Sequence, residues 1–229
     1  MKKILIIHGE PKSINIEIIL KTFNTLKATL RDKIILIGDS NLIQKSLKKQ
    51  NKIKINKVKS LNEFKSKKLN ILHVNLEHLN STKSDILKIR RYVIRSFEIA
   101  HNFAVKNRSI GLINCPIDKK TIFNLQKIGV TEYLAKKNRV NGFENMMIYN
   151  KFNSVVPLTT HLRIKEVSKS ITLKILIRKL SSLNRNYHKL FKIKPVIKVL
   201  GLNPHNDEYR KNSEEKKIII PAIKKLKKS

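Results

Sequence analysis

Leu158-Thr159-Thr160-His161 and Gly201-Leu202-Asn203-Pro204-His205 each read as the end of an apolar strand that presents a histidine. Ser154 to Leu158 lead into the first and Val196 to Leu200 into the second. In an α/β sheet the carboxyl ends of the strands open into the crevice where ligands bind. Imidazole is the commonest metal ligand and titrates near neutrality. Two histidines at equivalent strand ends make His161 and His205 a candidate divalent-metal pair.

Outward from these stretches, the chain alternates short apolar runs with amphipathic ones. Ile4 to Ile7, Ile34 to Ile37, Ile71 to Val74, Ile110 to Asn114, Met146 to Tyr149, Val155 to Leu158 and Val196 to Leu200 have strand length and are bounded by Gly, Asn, Asp or Pro. Ser84 can cap a helix in which Ile86, Ile89, Val93, Ala100 and Ala104 recur at helical spacing. Thr172 can cap another, with Leu173, Leu176, Leu180, Leu183, Tyr187 and Leu190 on one side. Ser213, Glu214 and Glu215 open a last helix, acids at the positive end of its dipole, and Pro221 should bend or interrupt it. This alternation predicts an α/β fold, a mostly parallel sheet with helices on both faces. The predicted division is an N-terminal α/β lobe over 1–118 and a second α/β lobe over 119–229, which carries the two histidines and either shares the first lobe's sheet or forms its own. Lys45 to Lys68 is polar and lysine-rich and reads as a poorly packed excursion.

Composition bounds the function. The chain has 229 residues, 41% of them hydrophobic, enough for a real core. No apolar run approaches a membrane span, and the run after Met1 is too short for a signal peptide and meets Glu10-Pro11. A cytoplasmic location is expected, with no membrane partner. Cys115 is the only cysteine, so no internal disulfide forms. The formal charge of +34 would ordinarily suggest a polyanion partner. Here the lysines are spread through every segment along with Ile and Asn, as very AT-rich coding DNA produces. Aromatics are 6% with no Trp, and no base-stacking pattern interleaves them, so nucleic acid ranks last as a partner. A basic surface does help steer a phosphorylated substrate.

The motifs resemble those of the 4-hydroxythreonine-4-phosphate dehydrogenase family of vitamin B6 biosynthesis. The resemblance rests on Thr159-Thr160-His161-Leu162 with Glu166-Val167, and on Gly201-Leu202-Asn203-Pro204-His205 with Glu214-Glu215 and Ile218 to Ile223. Gly9-Glu10-Pro11 follows the first strand, Cys115-Pro116-Ile117-Asp118-Lys119 resembles the family's Ala-Pro-Ile-Asn-Lys, and Thr131-Glu132-Tyr133-Leu134-Ala135 resembles the tail of its Gly-His-Thr-Glu-Phe-Leu-Ala. It implies an isocitrate/isopropylmalate dehydrogenase-like fold and a homodimer. It also implies NAD- or NADP-dependent oxidation of the secondary alcohol of 4-phosphooxy-L-threonine to 2-amino-3-oxo-4-phosphooxybutanoate, which decarboxylates, on the way to pyridoxal 5'-phosphate. By the same resemblance a divalent metal (Zn, Mg or Co) polarises the alcohol oxygen, His161 and His205 match two of three metal histidines, and Thr131 matches a substrate-binding residue.

Departures from the family pattern are specific. The chain is expected to lack the C-terminal part, where the family carries its third metal histidine, further substrate residues and much of the nucleotide site. Val130 stands where the family has a substrate histidine and can neither donate nor accept a hydrogen bond from its side chain. Ser13 and Asn15 replace two loop glycines, and Asp118 replaces an asparagine. By itself the chain is therefore expected to turn over slowly if at all. The alternative reading is a catalytically inactive fragment that retains a metal- or phosphate-binding surface. Each residue also has a bland reading: Thr131 as a helix N-cap, Cys115 as a small core residue, and His8, His73, His78, His101 and His188 as solvated side chains.

Overall fold

A computed structural model of the chain describes residues 3–47, 53–80, 83–107, 111–123, 129–160, 162–203, 205–206 and 211–227. It divides into two compact units, 1–128 and 129–229. The sequence had suggested 118 as the boundary. The short helix Lys119–Ile122 lies in the first unit, with Ile122 and Phe123 buried against the long helix before it.

The first unit is built on a parallel sheet. β1 (Ile4–Ile7), β2 (Ile34–Gly38), β3 (Ile55–Val58), β4 (Leu69–His73) and β5 (Gly111–Asn114) pair in the order β3-β4-β2-β1-β5. Every pairing is parallel. Crossovers run through α1 (Asn15–Thr25), α2 (Ala28–Arg31), α3 (Ser40–Leu47) and α4 (Asp85–Asn107), and α5 (Lys119–Ile122) follows β5. Side chains alternate across a strand, and both faces of β2 are buried. Ile34 and Leu36 join Leu69 and Ile71 of β4 beneath Ile19, Leu20 and Phe23 of α1 and Ile43 and Leu47 of α3. The opposite set, Leu5, Ile7, Ile35 and Ile37, is wholly buried on the side where α4 packs with Tyr92, Val93, Phe97 and Ala100. Helices cover both faces, as the α/β reading predicts.

β3 lies inside the segment expected to be an excursion. It forms an edge strand in which Lys57 is exposed while Val58 is buried. Lysine on an edge strand blocks unwanted pairing, which is why composition alone hid it.

The second unit contains α6 (Val130–Lys137), α7 (Ile164–Ser170), α8 (Leu173–Phe191) and α9 (Ile220–Lys227), the last preceded by a π-helical turn at Glu215–Ile219. Thr172 caps α8 as expected, its hydroxyl accepting the Ile175 N–H at 3.2 Å. Pro221 has no N–H to donate back to Lys217, and the helix widens into the π turn just before it. Leu176 of α8 packs on Ile219 and Ala222, with Leu158 and Val199 at the margin. Three expected strands are corrected here. Met146–Tyr149 and Val155–Leu158 reduce to one antiparallel bridge between Ile148 and Val155. Val196–Leu200 has no partner strand among the described residues, and Val196 and Leu200 are 90% and 82% exposed. An apolar run becomes a strand only where a neighbour takes up its ladder bonds.

Candidate functional site

Strand order fixes where the first unit gathers its loops. From β1 the chain moves to β2, then to β3 at the edge and back to β4 between them, and returns through α4 to β5 on the other flank of β1. The carboxyl ends of β1 and β5 thus flank a topological switch point, where ligands of open α/β sheets bind. Gly9 turns there at φ +76°, and a Cβ would lie 2.9 Å from the Pro116 carbonyl. The Asn15 amide donates to the carbonyls of His8 (3.0 Å) and Pro116 (2.9 Å), stapling the two loops. Ser13 Oγ donates to the Glu10 carbonyl and accepts the Asn15 N–H, while Glu10 Oε2 accepts the Asp118 N–H at 3.2 Å. Side chains in place of two family glycines therefore fill the loop with its own hydrogen bonds. Asp118 caps α5 by accepting the Lys120 N–H at 3.0 Å, and its bond from the Thr121 hydroxyl holds its carboxyl below the ordinary range. Cys115 is half-buried and packs on the core, and burial pushes its thiol up, away from nucleophile chemistry.

His8 is not solvated, contrary to the sequence reading; it is fully buried. Its Nδ1 lies 3.1 Å from the Tyr92 hydroxyl, which accepts the Asp39 N–H at 3.0 Å. Asp39 caps α3 through the N–H groups of Asn41 and Leu42 and takes the Leu76 N–H on its other oxygen. Burial pushes His8 down to about 4, with the Asp39 charge pulling weakly the other way. Tyr92 is held above its ordinary value, chiefly by burial. His8 Nε2 is buried without a hydrogen-bond partner.

Of the residues singled out in the second unit, Thr131 is exposed at the second position of α6. It is not the cap: Gly129 is, and the Glu132 carboxylate accepts the Gly129 N–H at 2.9 Å. His161 lies outside the described residues. His205 is exposed, and its N–H is held by Asn203 Oδ1 at 2.9 Å. No group of three His, Cys, Asp or Glu side chains able to hold a metal comes together among the described residues. His205 can supply one donor, and His161, its expected partner, lies outside the described residues. Among the described residues no helix is long and apolar enough to cross a membrane.

A parallel sheet with loops stapled at its switch point defines an open α/β protein with the geometry in which such sheets bind ligands. The family model described as "Pyridoxal phosphate biosynthetic protein PdxA" matches residues 30–229, and the chain belongs to that family. A 4-hydroxythreonine-4-phosphate dehydrogenase of Sulfurihydrogenibium sp. (strain YO3AOP1) is 30% identical over 234 residues, covering 99% of this chain and 71% of the relative. One from Hydrogenobaculum sp. (strain Y04AAS1) is 31% identical over 232 residues, covering 98% and 72%. The solved 4-hydroxythreonine-4-phosphate dehydrogenase of Klebsiella pneumoniae superposes with a TM-score of 0.85 at 19% identity, over 100% of this chain and 72% of that one. That likeness carries the fold.

Proposed function

We propose that the chain is a dehydrogenase of pyridoxal 5'-phosphate biosynthesis that oxidises 4-phosphooxy-L-threonine with NAD or NADP. The observation that carries this reading is the family match over 30–229, joined to relatives of one name along nearly the whole chain. In the reaction the substrate's secondary alcohol gives up a hydride to the nicotinamide and its hydroxyl proton to a base. The resulting 2-amino-3-oxo acid then releases carbon dioxide. Thr131, exposed in the first turn of α6, would contact the substrate by its likeness to the family motif, and its hydroxyl can both donate and accept. A divalent metal, when bound through His161 and His205, would lower the proton affinity of the alcohol oxygen. The abundant cationic surface favours approach of the phosphorylated substrate. A homodimer in the cytoplasm completes the proposal.

A second reading, a relative that binds but does not turn over, is favoured by Val130 at the family's histidine position and by the lack of an assembled donor group among the described residues. NADH formation with 4-phosphooxy-L-threonine and added Zn²⁺, Mg²⁺ or Co²⁺ separates the two. A rate above the enzyme-free control that falls at least tenfold in Thr131→Ala and in His205→Ala supports the dehydrogenase. No rate with any of the metals, alongside substrate binding by calorimetry, supports the second reading.

A further inference from the structure

His205 sits on an exposed turn. Asn203 Oδ1 accepts the His205 N–H at 2.9 Å and the Asn203 carbonyl accepts the Asn206 N–H at 3.1 Å, so the turn is closed by local bonds. Its tie to the body of the unit is a single long-range contact among those described: the Leu202 N–H donates to Glu215 Oε1 at 2.8 Å. Gly201 makes that approach possible. A Cβ there would stand 1.8 Å from Asn206 Oδ1 and 3.3 Å from Glu215 Oε1, so an added side chain would crowd the ends of both side chains.

Glu215 is a costly residue to place there. It is 5% exposed, and its second oxygen is buried without a partner. A buried carboxylate is disfavoured unless hydrogen bonds compensate it. Partial compensation comes from its place in the first turn, where the positive end of the helix favours an acid. The helix itself is fixed from two sides. Ile219 and Ala222 pack on Leu176, and the neighbouring Glu214 takes a hydrogen bond from Ser168 at the end of α7. The π turn places Glu215 at this rigid point while its carboxylate faces the turn that carries His205.

We propose that Glu215 is a positioning residue: through the Leu202 N–H it holds the Gly201–Asn206 turn and so sets where the His205 imidazole stands. Its importance to the reaction rests on the dehydrogenase reading above; its effect on the turn does not. The test uses the ¹⁵N-labelled chain, wild type beside Glu215→Ala, Glu215→Gln and Leu176→Ala, read by amide exchange at Leu202 and by the ring resonances of His205. Glu215→Ala is expected to lose at least tenfold of Leu202 protection and to shift the His205 ring signals. Glu215→Gln keeps an acceptor oxygen and should retain both within about threefold. Leu176→Ala, which loosens the same core, should lower the melting temperature with Leu202 and His205 unchanged. Equal protection in Glu215→Ala and wild type overturns the proposal, as does the same loss in Leu176→Ala. Should Glu215→Ala not fold, wild type and Glu215→Gln decide, and an unprotected Leu202 amide in either overturns it. Where wild type also forms NADH, Glu215→Ala should cost about tenfold or more in kcat/KM and Glu215→Gln should restore it. A wild type without turnover counts against the dehydrogenase and leaves the exchange result standing.

Discussion

Acid should weaken the first unit through one residue, His8. Its imidazole is fully buried at the end of β1, and burial holds it down to about 4 against 6.5 in an open chain. As pH falls through 6.5 the unfolded chain takes up a proton that the folded one refuses until about 4. The unfolded state then binds more protons, so stability falls with pH across that window and is whole above it. Between 6.5 and about 4, at about 1.36 kcal/mol per pH unit, the loss is roughly 3 kcal/mol. With a urea dependence on the order of 2 kcal/mol per molar, the midpoint should drop by about 1.5 M from this group alone. His8→Asn removes the titration while leaving an amide that can pair with the Tyr92 hydroxyl. Urea melts followed by circular dichroism at pH 7.5, 6, 5 and 4.5 for both proteins give the difference directly, because carboxylates such as Asp32 and Asp118 titrate in each. Wild type should lose ground to the variant steadily below 6.5. Parallel curves would refute the reasoning, for they would mean that His8 protonates in place without cost.

Three further outcomes concern a loop glycine, a helix cap and the exposed apolar side chains. Gly9→Ala forces a side chain into φ +76° against the Pro116 carbonyl and should cost about 2 kcal/mol or more in urea melts. Thr172→Ala removes the cap of α8 and should cost about 1 kcal/mol, while Thr172→Ser should lose only a fraction of that. The exposed apolar side chains of the second unit, Phe152, Ile164, Val196 and Leu200, should drive self-association. Sedimentation should register it more strongly at high salt, where the charge of +34 is screened, and Val196→Lys with Leu200→Lys should reduce it.

What the sequence made legible was whatever depended on period and punctuation. Ile4 to Ile7 and Ile34 to Ile37 are continuous apolar runs because both of their faces are covered, and such runs announce a buried parallel sheet. Thr172 and Pro221 act locally, so their effects on α8 and on the π turn could be read without knowing the fold. Pairing was not legible. Ile55 to Val58 finds β4 and becomes a strand despite its lysines, whereas the more apolar Val196 to Leu200 remains unpaired among the described residues. Apolar content states what a segment can do, and the neighbour decides whether it does it.

The candidate site divides along the same line. The residues proposed to bear chemistry, Thr131, His161 and His205, were visible as motif words, because a motif records side-chain identity. The residues that hold the site were not, because holding is a matter of distance. Nothing in the sequence distinguishes Asn15 as a staple between carbonyls 108 positions apart, nor His8 from the exposed histidines. Glu215 stood in plain sight beside Glu214 as a first-turn acid. Only the 2.8 Å bond to Leu202 separates its part from that of its neighbour, which turns instead to Ser168. Two adjacent carboxylates with one local explanation thus take two tasks. Gly201 leaves room for that bond, since an added carbon at that position would crowd the Asn206 amide oxygen and the Glu215 carboxylate.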